Sequence, residues 1–78
     1  MSIQEELRQV EKDMSRLRTE ASELRRQVGE IGPTDAAERS ALINMADQQD
    51  ALADELEGRR EELRRQADEA GDTRPGGP

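Results

Sequence analysis

Side chains that could drive a reaction are scarce in this sequence, which has no His and no Cys. The common nucleophilic and general acid–base mechanisms use a His, a Cys or a carboxylate perturbed inside a cavity. Ser15, Ser22 and Ser40 have no base partner in the sequence, and the nitrogen and sulfur ligands of a zinc site are missing. Carboxylate-bridged metals in helical bundles also need His. We therefore predict a protein that is not an enzyme, with no metal ion, cofactor or small-molecule ligand.

Three acids crowd the one internal break in the chain, namely Glu30, Asp35 and Glu38. The break spans residues 29–34 and contains two glycines and a proline, which end any helix. Acids at the start of a following helix stabilise its positive end by about 0.3–1 kcal/mol each. The sequence leaves open whether these three residues also contact a partner.

The first helix is predicted from residue 2 to residue 28. Ser2 and Glu5 have the spacing of a capping box at its start. Its apolar residues recur at alternating steps of four and three, the pattern of one face of a coiled-coil helix. These residues, predicted to form the interhelical seam, are Ile3, Leu7, Val10, Met14, Leu17, Ala21, Leu24, Val28 and Ile31. Gly29 suits a left-handed C-terminal cap.

The second helix is predicted over residues 35–70, with a weaker seam. Its predicted seam positions are Leu42, Met45, Gln49, Leu52, Leu56, Arg59, Leu63 and Gln66, and Ala46, Ala53 and Ala67 widen the stripe on one flank. A polar residue on such a seam often fixes register, so Gln49 and Arg59 are either structural or contacts for a partner. Gly58 faces outward and is either tolerated or a point of close approach by a partner helix. Residues 71–78 are predicted to be a disordered tail.

A short connection makes two helices antiparallel neighbours, so we predict an all-α, antiparallel two-helix coiled-coil hairpin. Facing residue numbers should add up to a constant. A value of 66 fits both seams, and 73 also fits the heptads but requires unwinding the start of the second helix. Because this hairpin buries few side chains, two copies are predicted to form a four-helix bundle, with Ile43, Met45, Ala46 and Ala53 as extra contacts. A parallel dimer of the first helix alone is a structural alternative.

Composition narrows the possible partners. The net charge is −7, which disfavours nucleic acid, and charged residues make up 40 % of the chain while aromatic residues are absent. No apolar run is long enough for a membrane span, so a cytoplasmic protein is expected. The mean hydropathy of −1.11 also permits a hydrophilin-like stress-protection protein, although the sustained heptads favour a folded coiled coil.

A coiled-coil hairpin with acids at its tip resembles the N-terminal arm of Gre-type transcript-cleavage factors. That resemblance implies a regulator of the RNA polymerase secondary channel, with Asp35 and Glu38 presented to a catalytic magnesium. The layout, with the segment Asp35-Ala36-Ala37-Glu38-Arg39, is also similar to small uncharacterised helical-hairpin proteins of actinobacteria, and this likeness implies no activity. The leading prediction from the residues themselves is a non-catalytic interaction module that binds itself and a helical partner.

Overall fold

Two long helices make up the fold in a computed structural model that describes residues 2–32 and 35–71. Helix α1 spans Ile3–Glu30 and helix α2 spans Ala36–Gly71. The helices pack along one another, and cross-helix contacts join early residues of α1 to late residues of α2, so they run antiparallel. The predicted all-α hairpin is confirmed. The predicted tail, apart from Gly71 at the end of α2, lies outside the described residues.

The start of α1 is the predicted capping box. The Ser2 hydroxyl accepts a hydrogen bond from the Glu5 amide at 3.1 Å, and the Ser2 amide donates to Glu5 Oε1 at 3.4 Å. The end of α1 differs from the prediction, because no described glycine has a positive φ. The helix continues through Gly29 to Glu30 and ends at an extended Ile31, whose amide donates to the Val28 carbonyl.

The hydrophobic core is a single thin layer between the helices. Leu63 of α2 is almost completely buried and packs with Leu7, Val10 and Met14 of α1. The buried apolar side chains of the described residues are Leu7, Val10, Met14, Leu17, Ala21, Ala46, Ala53 and Leu63. Three of these residues are alanines, Ala21 of α1 and Ala46 and Ala53 of α2, so the layer contains few large side chains from α2.

The interhelical seam on α1 is the predicted one, but the seam on α2 is shifted. Among the buried and half-buried residues of α2, a series at steps of three and four runs through Leu42, Ala46, Gln49, Ala53, Leu56, Arg60, Leu63 and Ala67. The prediction that Met45 and Leu52 face α1 is wrong, because their side chains are 50 % and 47 % exposed. Arg59 and Gln66 are also exposed. Their neighbours Arg60 and Ala67 occupy the seam positions instead.

The register between the two helices also differs from the prediction, because a different series of α2 residues faces α1. Cross-helix ion pairs join residues whose numbers add up to between 65, for Glu6 with Arg59, and 75, for Arg18 with Glu57. The two buried series coincide at a sum of 70, which places Leu63 opposite Leu7 and Ala53 opposite Leu17. The predicted value of 66 is therefore wrong. Alanines let the two backbones approach closely, and this register also aligns oppositely charged residues beside the seam.

Candidate interaction surface

One side of the hairpin, which we call the aspartate flank, is covered by a ladder of ion pairs. Arg18 and Arg25 of α1 reach across to four acids of α2, namely Asp47, Asp50, Asp54 and Glu57. Arg25 Nη2 lies 2.6 Å from Asp50 Oδ2 and 3.1 Å from Asp47 Oδ1. Hydrogen bonds to Asp50 and then Asp47 raise the pKa of Arg25 above its usual range. These cations already have partners within the chain.

The opposite side, which we call the methionine flank, carries a stripe of residues spaced seven apart on α2. The stripe consists of Glu38, Met45, Leu52 and Arg59, all of them exposed. The guanidinium of Arg59 donates from Nη2 to Glu6 Oε2 at 2.7 Å, and this hydrogen bond raises the pKa of Arg59. That contact fixes the side of the hairpin on which the stripe lies. Two large apolar side chains thus face outward in the middle of the stripe.

A shallow groove of about 330 Å³ lies beside Met45 on the same flank. It is lined by Thr19, Glu20, Glu23, Leu24, Gln27, Met45 and Gln49. Gln49 Nε2 donates to Glu20 Oε2 at 2.8 Å across the helix pair. Because Met45 and the half-buried Leu24 both line the groove, the apolar surface continues from one to the other. The groove is open and offers contact area rather than an enclosed cavity.

Of the two polar seam residues singled out in the prediction, Gln49 and Arg59, the structure places one on the seam. Gln49 is half-buried at its predicted position. Arg59 instead belongs to the methionine flank, where it is accessible as well as paired with Glu6. Its neighbour Arg60 enters the seam, and among the described residues its buried Nε finds no hydrogen-bond partner.

The acids predicted at the hairpin tip are accessible. Asp35 and Glu38 are exposed, and Glu30 accepts a hydrogen bond from Arg26 Nη1 at 3.0 Å. Within residues 2–32 and 35–71, no group of three or more acidic side chains is arranged to hold a metal ion. The tip thus presents separate carboxylates on its surface.

The residues predicted to join two hairpins are only partly available. Ala46 and Ala53 have no exposed surface, because they lie inside the helix pair. Ile43 is 41 % exposed but shares its heptad position with Asp50 and Glu57, which places it on the aspartate flank. The stripe from Glu38 to Arg59 was not predicted as a surface, because Met45, Leu52 and Arg59 were assigned to the seam; the seven-residue spacing of the stripe is visible in the sequence.

Neither helix in the described part of the chain has an apolar stretch long enough to cross a bilayer. No protein-family model, no curated protein and no solved structure matches this chain.

Proposed function

We propose that this chain is a non-catalytic protein–protein interaction module, a small acidic coiled-coil protein of the cytoplasm that self-associates and binds a helical partner. The observation that carries the proposal is the exposure of Met45 and Leu52 at the centre of one flank. Neighbouring exposed apolar side chains next to a groove are typical of an interaction site.

The thin core supports the same proposal. A chain of this size buries only about 60 % of its extended surface, and such small domains often rely on association for stability. Here alanines occupy the layer between the helices, while the larger side chains of Met45 and Leu52 are exposed on the surface. Burying those side chains against a second hairpin, in a four-helix bundle, would add the apolar contact that one hairpin lacks.

Self-association and binding of a different helix are expected to compete, because both would use the same apolar side chains. A partner helix would place its own apolar stripe in the groove beside Met45, the usual way in which a helix is recognised by a helical surface. The acids Glu20 and Glu23 at the edge of that groove favour a partner with basic residues flanking its apolar stripe.

Sedimentation equilibrium of the whole chain tests the proposal. One copy has a mass of 8.8 kDa. We expect the average mass to rise to twice that value across the micromolar concentration range, and the thermal midpoint to rise with concentration, because ligand or partner binding stabilises the folded state by mass action. A folded species that stays at the mass of one copy over this range would contradict self-association.

A further inference from the structure

The stripe on the methionine flank has a pattern that is complementary to itself when reversed. From the start of α2 towards its end it reads acidic, apolar, apolar and basic, at Glu38, Met45, Leu52 and Arg59. We propose that the partner on this flank is a second copy of the chain, with the two α2 helices antiparallel about a two-fold axis between Met45 and Leu52. This inference rests on the proposed function and specifies the surface and register through which it acts.

In this arrangement, every residue of the stripe meets its complement. Each Met45 lies beside Leu52 of the second copy, and each Glu38 lies beside Arg59 of the second copy. Such an isologous contact closes after two copies, because the same patch is used on both sides. With a rise of about 1.5 Å per residue, the two charged pairs lie about 30 Å apart and enclose the four apolar side chains.

Other arrangements of two copies bring like charges together or lack a free surface. A parallel pair would place Glu38 beside Glu38 and Arg59 beside Arg59, and like charges at facing positions are unfavourable. The aspartate flank offers Ile43 as its exposed large apolar residue, next to carboxylates already paired with Arg18 and Arg25. Arg59 can contact a second carboxylate because its guanidinium has several donors and is 44 % exposed.

Substitution of one exposed apolar residue on each flank tests which flank is used. In Leu52→Gln we expect the dissociation constant of the dimer to rise at least about tenfold, because two Leu side chains lose their burial in each dimer. In the matched control Ile43→Gln the constant should stay within about twofold. Circular dichroism should show the same helical content in both variants, because both side chains lie outside the buried seam.

Cysteine crosslinking tests the antiparallel register, since the natural chain has no Cys. Gln48 is exposed and lies next to the proposed axis, so Gln48→Cys should form a disulfide-linked dimer under mild oxidation. The control is Ala51→Cys. Ala51 is also exposed, about one turn further along α2, on the side of the helix away from the stripe, so this variant should stay largely uncrosslinked.

The outcomes separate this inference from the broader proposal. If the natural chain is a single copy at all micromolar concentrations, both the proposed self-association and this surface are wrong. If the natural chain is a dimer but Ile43→Gln dissociates it and Leu52→Gln does not, or if Ala51→Cys crosslinks as well as Gln48→Cys, the proposed surface is wrong while self-association stands.

Discussion

At the scale of single residues, two alanines determine which side of α2 faces α1. Ala46 and Ala53 have no exposed surface, while their larger neighbours Met45 and Leu52 lie outside. Burial of the larger pair would gain more apolar area per side chain. The observed choice instead brings the α2 backbone close to the Leu side chains of α1 and keeps the cross-helix ion pairs in register.

Enlarging one of these alanines is expected to destabilise the hairpin. Ala53→Leu inserts a side chain into a filled layer opposite Leu17, and such overpacking costs typically about 1–3 kcal/mol. Urea unfolding followed by circular dichroism at a fixed protein concentration measures the change. The control Ala51→Leu is exposed and should change the free energy of unfolding by less than about 0.5 kcal/mol. Equal stability of Ala53→Leu and the natural chain would contradict the burial of Ala53 between the helices.

At the scale of the helices, the sequence predicted α1 more completely than α2. In α1 one series of positions carries an aliphatic residue at every step, so only one face could be buried. In α2 two series share Leu42, Gln49, Leu56 and Leu63 and differ at every intervening position. Hydrophobicity alone favours the series with Met45 and Leu52. Which of the two series faces α1 depends on contacts with α1, and the pattern of a single helix does not contain those contacts. Because the wrong series was predicted, the predicted register and interaction surface were also wrong.

The ion pairs between the helices are expected to stabilise the hairpin in a salt-dependent way. Arg25→Gln removes the hydrogen bonds to Asp50 and Asp47 that raise the pKa of Arg25, so the thermal midpoint should fall. The difference from the natural chain should shrink as salt is added, because salt screens exposed charges. Circular dichroism melts at low and high ionic strength measure both effects.

The control for this effect is Arg26→Gln, whose partners Glu23 and Glu30 both belong to α1. It removes ion pairs within one helix and none between helices. We expect a smaller fall in the midpoint for Arg26→Gln than for Arg25→Gln at low salt. Equal effects of the two substitutions would indicate that the cross-helix ladder contributes nothing beyond local helix stability.

Gly58 is the position at which α2 can be strengthened most simply. The glycine is exposed inside the helix, and a Cβ atom added there would meet nothing within 4 Å. Gly58→Ala should therefore raise the free energy of unfolding by roughly 0.5–1 kcal/mol, because Ala loses less backbone entropy than Gly. Urea unfolding measures the change, and Ala51→Gly, the reverse substitution at an exposed site, should cost a similar amount. Weaker self-association of Gly58→Ala would instead support close approach of a partner helix at this glycine.

At the scale of the whole molecule, the hairpin is a thin rod. Its principal extents are 65, 22 and 13 Å, so most residues lie close to the surface and the long faces supply nearly all of the area for a partner. A second copy laid along the rod adds contact over its length, whereas end-to-end contact would bury little. The proposed axis lies five residues from the middle of α2, so residues 36–61 of the two helices lie alongside each other, over about 40 Å at about 1.5 Å of rise per residue.

This overlap predicts two distances that spin labels can measure. In the antiparallel dimer, labels on Gln66→Cys should lie about 50 Å apart and labels on Ser40→Cys about 25 Å apart. Each distance is twice the offset of the residue from the axis, at about 1.5 Å of rise per residue. Both residues are exposed on α2, so labelling should leave the hairpin folded. Pulsed electron–electron double resonance on the whole chain, at a concentration where the dimer forms, measures both distances. A parallel dimer would give the same short distance at both positions, because corresponding residues then lie side by side, and an end-to-end dimer would make one of the two distances exceed the length of a single rod.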